Sequence, residues 1–322
     1  MTRNSPLADP PLPGPDPEIT TGGEIGALHG WLIIDKPIGI GSTQVVGAVK
    51  RVLREGGYPK VKVGHGGTLD PLASGVLPIA LGEATKLSGR MLDADKAYDF
   101  TIRFGEQTDT LDLEGVVVAT SDHLPRVAEI EAVLPQFTGP IEQIPPAYSA
   151  LKVDGERAYD LARAGVDVQL AARAVTIHSL VRQEGAGGDE TTLSARVSKG
   201  TYIRSLARDI ALALHSVGHV TMLCRTKAGP FGPAQAISLD KLADLAKARR
   251  LEEEALLPLA AGLDDIPALT VTPREAELLK RGQQPSGSAA RPGLHLAVLD
   301  DVPIALVECS EGFLRVVRGF NL

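Results

Sequence analysis

Gly64-His65-Gly66-Gly67-Thr68-Leu69-Asp70-Pro71-Leu72-Ala73-Ser74-Gly75-Val76-Leu77-Pro78 is the stretch on which the reading of this chain turns. Glycines 64, 66 and 67 let backbone approach a ligand closely. Pro71 fixes the chain direction just after the carboxylate and biases Asp70 away from helical geometry. The expected result is an acid held on a stiff turn at a loop tip, followed by an apolar run, Gly75 to Leu81. Taken alone, Leu69-Asp70-Pro71 reads better as a structural Asx-Pro turn.

Upstream, residues 1 to 27 carry six prolines between Pro6 and Pro17 together with glycines and acids, and too little apolar surface to offset chain entropy. They read as a disordered tail. Gly30 to Pro37 reads as a short buried strand stopped by a proline turn, and Ser42 or Thr43 is placed to cap a helix bearing Val45, Val46, Val49, Val52 and Leu53. Downstream, strand patterns fall at Ala97 to Phe104, Gly115 to Ala119 and Leu193 to Val197. Helical spacing falls at Ile130 to Phe137, Ala158 to Ala164, Tyr202 to Leu214 and Ser238 to Leu257. Many short strands with interspersed helices, without regular β-α alternation, predict an α+β fold with a mixed, largely antiparallel central sheet. After a hinge at Pro258 to Pro267, strands at His295 to Leu299, Pro303 to Cys309 and Phe313 to Val317 suggest a small β-barrel.

The chain of 322 residues is 43% hydrophobic, only 4% aromatic, and carries a formal charge of -7. That charge argues against a general polyanion binder, because non-specific affinity for nucleic acid comes from phosphate neutralisation. One segment departs from it: Lys50, Arg51, Arg54, Lys60 and Lys62 face only Glu55, an arrangement that on charge alone is an ordinary solvated helix face. Cys224 and Cys309 form no Cys-x-x-Cys pair and read as buried free thiols. No apolar run has the length of a membrane helix, and the N-terminus lacks the apolar core of a signal peptide, so a soluble cytoplasmic protein is expected. Phosphate-loop, dinucleotide-binding and esterase-elbow motifs are absent. His215 and His219, four apart, lack the glutamate of a zincin, and Gly218 is expected to end the helix between them, so no metal site is predicted.

The Gly64 to Pro78 stretch resembles the catalytic motif of the TruB family, the bacterial tRNA pseudouridine-55 synthases. The likeness continues through Gly82-Glu83-Ala84-Thr85-Lys86 and, in the same order, through four further segments: Gly30 to Pro37, Lys96-Ala97-Tyr98 with Gly105 to Asp112, Gln143 to Lys152, and Ser198-Lys199-Gly200-Thr201-Tyr202-Ile203-Arg204. The resemblance implies a pseudouridine synthase fold over residues 28–257. It implies a linker over 258–269 and a C-terminal PUA-like RNA-binding domain over 270–322, reduced in size as in actinobacterial members.

It also implies roles. Asp70 matches the nucleophile that detaches uracil from its ribose, so that the base can turn and rejoin through carbon. Arg204 matches the arginine that keeps this carboxylate ionised. Tyr98 matches the active-site tyrosine that stacks on the extruded base. His65 matches a histidine that supports the opened T loop, and Tyr202 and Leu223 match residues lining the uracil pocket. Lys36, Lys86 and Lys199 are expected phosphate contacts. The implied reaction is isomerisation of uridine 55 in the T arm of tRNA by base flipping, with no metal, nucleotide or flavin, in a monomer without an obligate protein partner. A tRNA-folding chaperone that has kept the RNA groove, and a synthase acting on another RNA like the guide-RNA relatives, remain as alternatives. Intact Asp70, Tyr98 and Arg204 favour catalysis over the first, and the absence of a large basic extension weighs against the second.

Overall fold

The computed structural model describes residues 26–322 except 150, 154, 167, 169, 186 and 187. The expected disordered tail therefore lies, over residues 1–25, outside the described residues. Along the chain run β1 (Gly30–Lys36), α1 (Ser42–Glu55), β2 (Val63–His65), β3 (Ala73–Leu81), α2 (Ser88–Asp93) and β4 (Lys96–Phe104). Next come the hairpin β5 (Glu106–Thr108) and β6 (Val117–Thr120), α3 (Val127–Val133), β7 (Gly139–Gln143), the two-residue strands β8 (Lys152–Val153) and β9 (Glu156–Arg157), and α4 (Ala158–Arg163). Then follow β10 (Arg173–Arg182), β11 (Glu190–Val197), α5 (Ile203–Ala213), β12 (Gly218–Ala228), α6 (Leu239–Lys247) and α7 (Leu251–Glu254).

The central sheet has eight strands, ordered β1-β3-β12-β4-β11-β10-β7, with β2 also paired to β3. Every pairing is antiparallel except β12 with β3. This is the mixed, largely antiparallel α+β sheet that the strand pattern suggested. Strand β3 is bordered by β1 along Gly75 to Leu81. Against its other partners, Ala73 to Gly75 pair with β12, and Ile79 to Leu81 pair with β2. The Gly66 to Leu72 loop joins β2 to β3 beside this change of partner.

Period-two alternation sends the strands into two cores. Leu32 and Ile34 of β1, with Leu77 and Ile79 of β3, pack under α1 and α6. Trp31, Ile33, Val76 and Ala80 face the opposite core. Helix α1 buries Val45, Val49, Val52 and Leu53, the stripe expected of an amphipathic helix. Helix α5 and α3 cover the β4, β10 and β11 half of the sheet.

Several expectations are corrected. Gly41, not Ser42 or Thr43, is the N-cap of α1, with Gln44 Oε1 accepting from Gly41 N–H at 2.6 Å. Ser42 is buried and otherwise engaged: its Oγ accepts from Leu69 N–H at 2.7 Å and donates to Leu69 O at 3.1 Å. The helical stretch 238–257 is broken where Arg249 takes a left-handed conformation, φ 57°. Cys309 is buried as expected, but Cys224 is only partly so. Helix α5 ends at Ala213, before both histidines and not at Gly218, which instead opens β12 with His219 on it.

The C-terminal region holds β13 (Ala268–Thr270), α8 (Pro273–Lys280), β14 (Gly293–Leu299), β15 (Val302–Ser310) and β16 (Phe313–Gly319). The strands follow one open path, β13-β14-β15-β16, in place of the expected closed barrel. Four strands are too few to curl into a ring, and α8 covers one face instead. Helix α8 was missed although Thr272, Pro273 and Glu275 form a full helix-start signal, with Thr272 Oγ1 accepting from Glu275 N–H. Residues 258–269 are no free linker. Leu259 and Leu263 are buried with Trp31, Phe231, Leu296, Leu306 and Phe320, and Trp31 Nε1 donates to Leu259 O at 3.2 Å.

This shared core predicts that Phe320→Ala costs about 3–5 kcal/mol. The loss should appear in the fluorescence of Trp31, the single tryptophan, during chemical denaturation. A transition by Trp31 that ignores Phe320 would show that the two parts unfold independently. Ser42→Ala should leave Leu69 N–H buried without an acceptor and cost about 1–3 kcal/mol, read as faster hydrogen exchange at that amide. Unchanged exchange would mean that Ser42 does not hold the loop.

Candidate active site

Three separate parts of the chain converge on Asp70. The first is the Gly66 to Pro71 loop itself. It is held from below by Lys36, whose Nζ donates to Pro37 O at 2.8 Å, Ile40 O at 2.6 Å and Pro71 O at 3.3 Å. Ser42 holds it from the side through Leu69. The second is the first turn of α5, which carries Arg204. Its entry is fixed by Gln143, whose Oε1 accepts from Tyr202 N–H at 2.8 Å. The third is the turn after β5. There Asp112 Oδ1 accepts from Thr110 Oγ1 at 2.6 Å and Glu114 N–H at 3.0 Å, and Leu111 adopts φ 63°.

Arg204 joins the three. Nη2 lies 3.0 Å from Asp70 Oδ2 and donates to Tyr148 O at 3.0 Å, while Nη1 lies 3.4 Å from Asp112 Oδ2 and donates to Thr110 O at 2.7 Å. The Arg204 side chain is 7% exposed and that of Asp112 is 9% exposed, against 38% for Asp70. The buried guanidinium is thus neutralised on one side by a buried acid, and it offers its other side to an acid that reaches solvent.

Asp70 borders two sizeable cavities and a third of only about 10 Å³. One, of about 260 Å³, is walled by Tyr98, Tyr202 and Leu223, with Lys96 and Arg225 also lining it. The other, about 690 Å³, runs over the N-terminus of α1 past Asp112 and Tyr148. Two aromatic faces and one aliphatic wall around a carboxylate suit a planar, polar ring taken out of water. Burial pushes the Tyr202 phenol up, and the Arg173 guanidinium lies 5.4 Å from its ring centroid.

The structure therefore brings Asp70, Tyr98, Arg204, Tyr202 and Leu223 to one cleft. His65 ends β2 beside it, its Nδ1 accepting from Gly67 N–H at 3.4 Å. Burial, then the nearby Arg225, pulls its pKa down, so the ring is neutral with the proton on Nε2. Lys36 is a correction. It is completely buried with its ammonium on three carbonyls, so it cannot reach a phosphate and instead braces the Asp70 turn. Burial lowers its pKa to about 8. Lys86 is exposed, bonded to Glu83 and to Gly319 O of the C-terminal segment. Lys199 is exposed and paired with Asp93 at 3.1 Å. Asp112 and Arg225 were missed: their types are ordinary for a turn and a strand, and nothing local marks them as buried.

The description "TruB family pseudouridylate synthase (N terminal domain)" matches residues 50–203, and "tRNA pseudouridylate synthase B C-terminal domain" matches residues 204–266. The chain is similar to tRNA pseudouridine synthase B of Novosphingobium aromaticivorans, at 61% identity covering 92% of this chain and 98% of that one. It is similar also to the same-named protein of Zymomonas mobilis subsp. mobilis, at 57% identity covering 92% and 97%. Among solved structures it resembles a chain of an H/ACA RNP bound to a substrate RNA containing 2′-deoxyuridine, with TM-score 0.69, 25% identity, and 91% and 86% of the two chains covered. Matched by these descriptions over most of its length and 61% identical to a relative of nearly the same extent, this chain belongs to the TruB family of pseudouridylate synthases.

Proposed function

We propose that this protein converts the uridine at position 55 in the T loop of tRNA to pseudouridine, with Asp70 as nucleophile. The observation that carries the reading is the 3.0 Å contact between Arg204 Nη2 and Asp70 Oδ2 at the edge of a cleft of nucleobase dimensions. Arg204 stabilises the anionic form of Asp70, which burial beneath a bound nucleotide would otherwise raise toward protonation. Tyr98 and Tyr202 stack on the flipped base, and Leu223 closes its edge. Beside the cleft, His65 fills the space the base leaves, as a neutral ring.

Uridine and pseudouridine have the same atoms, so the reaction needs no redox partner or activated donor. The exposed cations Lys50, Arg51, Arg54, Lys60 and Lys62, with Lys86 and Lys199, are assigned to the RNA backbone. The C-terminal sheet is assigned a share of that surface, as a reduced PUA-like unit. Charge gives it no large share: its six Lys and Arg residues are matched by six Asp and Glu over residues 270–322. The reading includes a cytoplasmic monomer that can also help tRNA fold while it holds the arm. No described helix is long and apolar enough to cross a membrane.

Incubation with an unmodified tRNA transcript, followed by chemical mapping of pseudouridine, tests the reaction. A T-loop signal is expected, and its absence would refute the reading. Asp70→Asn should abolish product while tRNA affinity stays within about tenfold, roughly 1.4 kcal/mol. An active Asn variant excludes Asp70 as nucleophile. Affinity should fall with salt along a clear log-log slope, since each phosphate contact releases counterions. A flat response would remove the lysines and arginines above from the interface.

A further inference from the structure

Two buried cations in the cleft have no part in the roles assigned so far. Lys96, 8% exposed, donates from Nζ to Met91 O at 2.9 Å, Leu92 O at 2.6 Å and Ala94 O at 2.7 Å. Arg225, 1% exposed, donates from Nε to Val76 O at 2.8 Å, from Nη1 to Thr68 O at 3.2 Å and from Nη2 to Gly67 O at 3.3 Å. Both line the cavity that holds Tyr98, Tyr202 and Asp70. Gly67 lies against both: a Cβ there would stand 3.5 Å from Arg225 Nη1 and 4.0 Å from Lys96 Cε. Among the described residues, neither cation has a carboxylate within ion-pair distance. The acids of the site are committed to Arg204.

Burying a charge without a counter-ion is costly, and carbonyl oxygens compensate only in part. A buried ammonium can also simply brace backbone, as Lys36 does. Lys96 and Arg225 differ from it in lining the cavity, and a fixed positive field there acts most strongly on charge that develops during reaction.

We propose that Lys96 and Arg225 stabilise the negative charge that the pyrimidine takes on when its bond to the ribose breaks. This rests on the reaction assigned above. When C1′–N1 breaks, the electron pair stays with the ring, spread over N1, O2 and O4, and C1′ is left electron-deficient against the Asp70 carboxylate. Once the ring has turned, C5 returns that pair to C1′. C5 then loses its proton and N1 gains one, so the account balances without a co-reactant. The cations lower the energy of the ring anion between these steps. They act through space, because the three protons of Lys96 are already used by carbonyls. Burial, then the nearby Arg225, pulls the Lys96 ammonium down to about 8, with Asp93 and Asp95 opposing and Lys199 adding, so it is charged at neutral pH.

The test compares uridine with 5-fluorouridine at the target position of a T-arm RNA, in single-turnover reactions that follow disappearance of the starting nucleoside, because a fluorinated ring rejoined through C5 has no proton there to lose. Fluorine withdraws electrons and makes the ring a better anion, so that less help is needed from the protein. Reactions are run at pH about 6.5, where both rings and Lys96 keep their protons. Lys96→Gln keeps two N–H donors for the carbonyls and removes the charge, and Lys96→Arg restores the charge. The Gln variant should slow uridine about 100-fold but 5-fluorouridine less than about tenfold, and the Arg variant should recover most of the rate. Equal slowing of both rings, no slowing, or an Arg variant as slow as Gln overturns the proposal, and so does a Gln variant that fails to fold while Arg folds without activity. If the wild-type protein leaves both rings untouched, the reaction assignment fails instead.

Discussion

The guanidinium of Arg204 is the point on which the site depends. It is buried, and a buried cation survives only if its surroundings answer it. Two carbonyls, Thr110 and Tyr148, and one buried acid, Asp112, do so from segments far apart in sequence. Asp70 completes the set while keeping contact with solvent. Removing one member of such a buried cluster costs on the order of 3–5 kcal/mol, because the others are left uncompensated. The same arrangement therefore fixes the turn after β5 against the start of α5 and aims the Asp70 carboxylate.

Position follows from the sheet. Strand β3 pairs with β12 near its start and β2 near its end, and the chain joining β2 to β3 bulges out beside that change of partner. A loop so placed would be free to move. Instead it is tied by Ser42 at the head of α1, by Lys36 beneath and by Arg225 through Gly67 and Thr68. Each tie uses a backbone group of the loop, which leaves the Asp70 carboxylate to Arg204 and the cleft. The stiffness of the Asp70 turn is thus a property of β1, α1 and β12 as much as of Pro71.

Electrostatically the molecule is divided. Its net charge of -7 would repel a polyanion, yet the cations around the cleft are concentrated where a nucleotide would enter, and four of them, Lys36, Lys96, Arg204 and Arg225, are buried. Buried charge is screened far less by salt than surface charge. In the proposed function the exposed lysines and arginines hold the RNA backbone, while the buried cations shape the site. The C-terminal sheet is fastened to the same body through Trp31, Leu259 and Phe320, and again through Lys86 and Glu83, which bond Gly319 and Asn321.

The sequence by itself determined the α+β class, three of the eight strands of the central sheet (β1, β4 and β11), the helix α1 stripe, and, through a family resemblance, that Asp70, Tyr98 and Arg204 share one site. These are local signals: period-two and helical spacing, glycines and a proline around one acid, and short motifs whose order is readable without a fold. Only the tertiary structure decided that Ser42 pins the Asp70 loop instead of capping a helix, that Lys36 is buried, that Asp112 sits behind Arg204, that residues 258–269 join a core, and that the last strands stay open. The physical reason is common to all five. Burial and pairing are set by residues distant in the chain, and a lysine that braces a turn has the same side chain as one that meets a phosphate.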